Sequence, residues 1–303
     1  FIGSHLCKTL CDNGHDVICV DNLSTGKKEN ISKVNLKFIE ADVNDYEQIK
    51  QVFENDQIDV VMHHAAVVGV KRTIENPIKV LNDAVGIRNI LELARKRDVQ
   101  KVIFASSSEV YGEPVQIPES EDGYLNAKLP YAVTKLYGEN LLNAYYKEFG
   151  LKTCSLRFFN VYGPWQDSSP YGFVTGIFIK QVLNNQAPTV YGDGTQTRDF
   201  IFIKDNIEAT LKAMENNNAV GEVINIGTGR PTTILDLAET IIELCGKKLK
   251  PLHVDSPGLD IRHRFPDVKK MRSLLDFKPK YSLTMGLNET IEWYKTRDHT
   301  SIK

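Results

Sequence analysis

Lys101-Val102-Ile103-Phe104-Ala105, running directly into Ser106-Ser107-Ser108, is a short apolar stretch that ends in a cluster of hydroxyls. An apolar run bounded in this way reads as a strand buried on both faces, the pattern of a parallel sheet covered by helices. Its last residues then lie at the carboxyl edge of the sheet, where open α/β sheets bind ligands. Similar strands are expected at 16–20, 37–39, 60–63 and 153–157, with later ones at 200–203 and 223–226. Apolar residues at helical spacing mark 80–96, 131–148 and 206–214. This alternation is the signature of βαβ units, so the expected fold class is α/β, built on a doubly wound parallel sheet.

Beyond the serines comes Tyr131-Ala132-Val133-Thr134-Lys135. On a helix, a phenol and an amine four residues apart face the same way. The ammonium is expected to stabilise the phenolate and bring its pKa from about 10 toward neutrality, as a general base for a hydroxyl requires. Spacing alone would equally suit an exposed helix carrying a tyrosine and a lysine. The strand-edge Ser107 ahead of it favours a hydride-transfer site formed by Ser107, Tyr131 and Lys135.

The ordered motifs 106–112 (SSSEVYG), 130–135 (PYAVTK) and 157–164 (RFFNVYGP) make the likeness specific. With 21–26 (DNLSTG), 63–66 (HHAA), 192–201 (GDGTQTRDFI), 225–229 (NIGTG) and 290–294 (TIEWY), the sequence resembles the extended short-chain dehydrogenase/reductase family. Within it the chain is similar to the NAD-dependent epimerase/dehydratase branch typified by UDP-glucose 4-epimerase. The resemblance covers essentially the whole chain. It implies a Rossmann-type sheet formed by residues 1–163 plus about 200–228, with a smaller α/β substrate lobe from about 164–199 plus 229–303. It also implies a homodimer in which the helices at 80–96 and 131–148 pair across a two-fold axis.

Phe1-Ile2-Gly3-Ser4-His5-Leu6 resembles the tail of the family's glycine-rich phosphate-binding motif. We therefore expect the first strand and two glycines to precede this sequence, which would make it a fragment, with Gly3 letting the first helix pack on the sheet. Asp21 follows an apolar strand, where a carboxylate accepts hydrogen bonds from ribose hydroxyls and repels a 2′-phosphate, so NAD is expected over NADP. Lys27 and Lys28 are read as a solvated loop face. The resemblance adds Ile2, Asn22, Ser24, Thr25, Gly26, Asp42, Val43, Ala65, Ala66, Asp83, Ser106 and Phe158 to the cofactor side. Asp42 is equally readable as a helix cap.

For the substrate, the resemblance implies that Tyr131 takes the proton, Ser107 hydrogen-bonds the same oxygen, and Lys135 holds the nicotinamide ribose. Asn160, Arg198 and Arg262 are the diphosphate candidates, since guanidinium groups suit phosphate oxygens. Residues 186–191, including Thr189 and Tyr191, would line the base beside Phe173 and Val174, while Ser108 and Glu109 would face the sugar. Three positions depart from the family pattern. Asp83 stands where an asparagine is usual, unless Asn82 substitutes for it. Residues 256–260 lack an arginine, for which Arg262 would compensate. Arg264 falls at the gate of the sugar pocket, where it would narrow the pocket or recognise an acidic sugar.

The reaction implied is 4-epimerisation of a UDP-hexose through a transient 4-keto sugar. Glu109 and the segment Arg264-Phe265-Pro266-Asp267 keep UDP-glucuronate decarboxylation as an alternative. A 4,6-dehydratase is disfavoured because Ser108 replaces the needed general acid. A nucleotide-binding fragment without activity is the third reading. Composition agrees with a two-lobed enzyme: of 303 residues, 42% are apolar and 25% charged, and the net charge of −2 gives no reason to expect nucleic acid or an anionic membrane. No run of 18 apolar residues suggests a membrane span. Five cysteines in no zinc-like spacing suggest reduced thiols, a cytoplasmic location and no metal site.

Overall fold

The computed structural model describes residues 1–169, 172–256 and 261–298. Helix α1 (Ile2–Asp12) precedes β1 (Ile18–Asp21), which pairs in parallel with β2 (Lys37–Glu40). Helix α2 (Tyr46–Asn55) starts at Asp45, whose carboxylate accepts from the Glu47 and Gln48 amides. Asp42 is therefore not the cap of this helix. Strand β3 (Val60–His63) leads through α3 (Val70–Glu75) and α4 (Pro77–Leu81) into α5 (Asp83–Lys96). Next come β4 (Lys101–Ser107), α6 (Pro130–Phe149) and β5 (Thr153–Phe158). The chain then passes through β6 (Asn160–Tyr162), α7 (Val174–Leu183), β7 (Thr189–Tyr191), β8 (Thr197–Phe202) and α8 (Ile203–Glu215). It ends with β9 (Val223–Ile226), β10 (Pro231–Thr233), α9 (Ile234–Leu244), β11 (Leu252–Val254), α10 (Lys269–Leu275) and α11 (Leu283–Asp298).

Four parallel strands in the order β3-β4-β5-β9 form the central sheet. Every residue of β4 is buried, and its two faces enter different cores. Val102 and Phe104 pack with Ile87, Ile90 and Leu91 of α5 and Leu142 of α6. Ile103 and Ala105 pack with Ala209 and Ala213 of α8 and Met271 and Leu275 of α10. That alternation is the period-two geometry of a strand covered on both sides, so the α/β class expected from 101–105 is what the chain adopts. Strands β6, β8 and β10 form a separate mixed sheet, β7 pairs with β11 in parallel, and β8, α7, α9 and α11 share a further core.

Several boundaries differ from those expected. The β1–β2 pair is a sheet of its own rather than an extension of the central one. Strand β4 continues through Ser107, which places the serines in the strand and in the turn that follows it. The expected helix at 80–96 is interrupted at Asn82, where Asp83 turns its carboxylate inward to the Val67 amide. The strand expected at 200–203 begins at Thr197, and Ile203 already opens α8. A Cβ on Gly3 would meet no atom within 4 Å. Among the described residues no helix is long and apolar enough to cross a membrane, and no cluster of His, Cys, Asp or Glu is placed to hold a metal ion. The five cysteines are free thiols.

His63, at the end of β3, is 5% exposed and stacks on Phe104 with ring centroids 5.9 Å apart. Burial holds its imidazole neutral down to about 3, and His5 is lowered to about 4 for the same reason. The unfolded chain takes up these protons near pH 6.5, so it binds more protons than the folded state below that pH, and stability is lost as pH falls from 6.5. Each pH unit of that fall is expected to cost up to about 1.4 kcal/mol from His63 alone. Urea unfolding at pH 7 and pH 5 checks this: His63→Leu should lose less stability across the interval than the parent, and equal losses would contradict the assignment.

Candidate active site

Pro130 at the first turn of α6 and Gly150 in the left-handed region at its end bound a helix that carries Tyr131, Lys135 and Glu139 on one face. Tyr131 is half-buried, and the Ser107 hydroxyl lies beside its phenol. The same Ser107 oxygen accepts from the Glu109 amide at 3.2 Å. Lys135 is 4% exposed, with its Nζ 5.5 Å from the centre of the Tyr131 ring and 4.8 Å from that of Phe104. The three residues singled out as catalytic candidates therefore meet at the carboxyl edge of β4.

The electrostatics differ from expectation in one respect. Burial pushes the Tyr131 phenol above its ordinary value, the neighbouring Ser107 hydroxyl pulls it down, and the charges of Glu109 and Asp83 add to the rise. Burial also lowers Lys135 to about 8, against the pull of Asp83 and Glu139. Desolvation thus outweighs the Tyr–Lys pairing in the protein by itself. Asp83, the departure from the family pattern, is buried and accepts from the Val67 amide at 2.8 Å; burial pushes its carboxyl up. Asn82 is exposed and does not substitute for it.

On the other side of the sheet edge, Asp21 ends β1, and its carboxylate accepts from the Leu23 amide at 2.7 Å. Residues 22–26 fold back over it so closely that a Cβ on Gly26 would stand 2.8 Å from both carboxylate oxygens, so a side chain there would push the carboxylate aside. Asn22 donates to Asp42 at 3.0 Å, and the Ser24 amide donates to Asn22. The 42–44 loop is pinned to α5: Gly86 donates to Asn44, and a Cβ on Gly86 would meet Val43 at 2.7 Å. An open cleft of about 280 Å³ is lined by Ser24, Thr25, Val67, Arg72, Glu75, Asn76 and Lys79, so the carboxylate of Glu75 stands beside the two cations. A carboxylate at the strand end, a glycine cradle against it and two cations along the adjoining cleft fit an adenosine diphosphate. Sequence reading missed Arg72 and Lys79, since isolated cations carry no motif. Ile2 opens α1, and Ala65 and Ala66 sit half-buried after β3.

One candidate faces elsewhere. Ser106 is 2% exposed and donates at 2.5 Å to Glu139, which also takes two hydrogen bonds from Arg157, at 2.9 and 2.7 Å. Its hydroxyl belongs to this buried network rather than to a ligand surface. Phe158 is buried at the end of β5, its ring 5.9 Å from that of His64.

The substrate candidates fall into two groups. Asn160, on β6, donates to the Asp199 carbonyl at 3.2 Å. Arg198 on β8 donates to the Thr197 carbonyl, and the Thr197 amide donates to the carbonyl of exposed Arg262, so the two arginines lie on neighbouring chains. Tyr191 is half-exposed at the end of β7, Thr189 is held by Gln181, and Val174 opens α7 after Phe173; residues 186–188 precede the strand rather than form it. Nearer Tyr131, Ser108 is buried, and Glu109 pairs with Arg264. Arg264 is 2% exposed and also donates to the Gly112 carbonyl at 2.9 Å, so it is tied into the wall and does not project as a free gate. Residues 257–260, and Tyr171 in the loop before α7, lie outside the described residues.

Comparison with known proteins identifies the family. Residues 1–227 match the NAD dependent epimerase/dehydratase family. The chain is 37% identical to a UDP-N-acetyl-alpha-D-glucosaminuronate decarboxylase of Bacillus cytotoxicus, over 97% of this chain and 95% of that one. It is 33% identical to a UDP-glucose 4-epimerase of Mycolicibacterium smegmatis, over 98% and 96%. The crystal structure of a UDP-glucose 4-epimerase with UDP-glucose from Thermotoga maritima superimposes with a TM-score of 0.94 at 35% identity, covering 98% of this chain and 96% of that one.

Proposed function

Because the chain belongs to the NAD dependent epimerase/dehydratase family, we propose that it is a nucleotide-sugar 4-epimerase acting on a UDP-hexose. The observation that carries this reading is the convergence of Ser107, Tyr131 and Lys135 at the end of β4. Asp21 with Gly26, the 42–44 loop, Ala65–Ala66 and Lys135 would hold NAD. Bound in its oxidised form, NAD would supply the hydride acceptor and a positive ring charge. Tyr131 takes the proton from the C4 hydroxyl, Ser107 orients the same oxygen, and Lys135 offsets the phenolate. A 4-keto sugar results; after it turns in the pocket, Tyr131 returns the proton as the other face is reduced. Arg198 and Arg262 grip the diphosphate, leaving the sugar free to turn.

A second reading also has support. Glu109 after Ser108, the segment Arg264-Phe265-Pro266-Asp267 and the 37% identity to the Bacillus cytotoxicus decarboxylase support UDP-glucuronate decarboxylation. Incubation with NAD and a panel of UDP-hexoses and UDP-glucuronate, with products resolved by chromatography, separates the two. C4 epimers without net reduction of NAD support the epimerase; carbon dioxide with a UDP-pentose supports the decarboxylase; no turnover on any sugar would overturn both.

The protein is proposed to act as a homodimer through α5 and α6. Their outer faces leave Val85 48%, Val133 41% and Tyr137 39% exposed, more apolar surface on one side than a solitary face needs. Val133→Glu combined with Tyr137→Glu should shift the protein from dimer to monomer in light scattering; a dimer that survives both changes contradicts this interface.

A further inference from the structure

Glu119, in the loop between β4 and α6, is 3% exposed. Its backbone is fixed on both sides: its amide donates to the Phe265 carbonyl, and its carbonyl accepts from the Asp267 and Asn225 donors. The carboxyl group lies 3.8 Å from Arg264 Nε and near the Phe265 amide, too far or too bent for a hydrogen bond with either. Arg264 Nη1 and Nη2 are engaged by Glu109 and the Gly112 carbonyl. One buried guanidinium is thus shared by two carboxylates, one sealed in the wall and one facing Tyr131.

We propose that Glu119 is a positioning residue of the active site, acting on Tyr131 through Arg264 and Glu109. The proposal rests on Tyr131 being the base of the reading above. A buried arginine needs a compensating charge, and Glu109 supplies one. While Glu119 is protonated, Arg264 neutralises Glu109 alone. When Glu119 ionises, the cluster carries a net negative charge, Arg264 is drawn from two sides, and the negative potential at the Tyr131 phenol rises. The charged groups facing Glu119 are Arg264, Glu109 and Arg198. Burial, aided by Glu109, raises the Glu119 carboxyl to about 8, which places the change within the working range of an enzyme.

Infrared difference spectra of the protein without substrate should show a protonated carboxyl band that disappears with a midpoint near pH 8. The band should be missing in Glu119→Gln, and its midpoint should move down by about half a unit or more in Glu109→Gln, where the like charge is gone. A parent protein without the band, or a midpoint indifferent to Glu109→Gln, overturns the proposal, and neither result requires turnover or a folded Glu119 variant. With UDP-glucose as substrate, the ratio of kcat/KM for Glu119→Gln to that of the parent should rise about three- to tenfold between pH 7 and pH 9. A ratio constant with pH overturns the link to Tyr131. If the parent turns over no UDP-sugar, the proposed function fails, and the infrared titration still decides whether Glu119 and Glu109 share Arg264.

Discussion

Tyr131→Phe is expected to lower kcat by about 10²–10⁴-fold, the usual contribution of a positioned general acid–base, while affinity for UDP stays within about twofold. The substitution removes one oxygen and keeps the ring. The packing of α6 is preserved, and what disappears is the hydroxyl beside Ser107, the proposed proton acceptor at C4. The diphosphate candidates Arg198 and Arg262 stand on β8 and on the chain beside it, outside α6, so the nucleotide should still bind. Burial holds the Tyr131 phenol above its ordinary value in the protein alone, so Lys135 by itself does not make the base, and bound NAD would supply the further positive charge. Calorimetric titration with UDP beside steady-state rates checks the split. A variant that retains activity removes Tyr131 from the chemistry, and one that loses UDP binding together with activity assigns the tyrosine a structural role.

The largest stability effect is expected at Glu139. Both Glu139 and Arg157 are nearly sealed from water, with side-chain exposures of 4% and 3%, and Arg157 Nη1 continues to the Tyr111 hydroxyl at 2.9 Å, which donates in turn to Asn225. Glu139→Ala leaves the guanidinium buried with its main counter-charge removed, which costs about 3–5 kcal/mol and, for a chain of this size, lowers Tm by roughly 5–8 °C. Replacing both partners, Glu139→Leu with Arg157→Met, should cost much less than the sum of the single changes, because no charge is then stranded. Thermal unfolding of the two single variants and the double variant tests this. Additive losses would show that the pair is held by packing and not by mutual charge compensation. The network links β4 to α6 directly beneath Ser107 and Tyr131, so activity should fall with stability in the single variants.

The elements carrying continuous patterns were legible in the residues. Residues 101–105 announce a strand with two buried faces, and the 131–148 periodicity announces the helix that presents Tyr131 and Lys135 together. What could not be read depended on contacts distant in sequence. Whether 80–96 is one helix turns on Asp83 finding the Val67 amide, and Ser106 leaves the ligand surface because Glu139 and Arg157 converge behind it. The direction of the Tyr131 shift was misjudged from the motif because helical spacing reports proximity to Lys135 but not the desolvation around both. Arg264 looked like a gate from its place in the sequence. Glu109 and the Gly112 carbonyl, far away in sequence, tie it into the wall, and no local pattern marks such partners.

The central claim is transient oxidation at C4, with the same hydrogen returned to the opposite face. It is tested most directly with UDP-glucose carrying deuterium at C4, incubated with the protein and NAD in ordinary water and analysed by mass spectrometry of the epimeric product. The account predicts UDP-galactose that keeps the deuterium at C4; a product that has lost it to solvent would contradict hydride transfer and replace it with proton exchange.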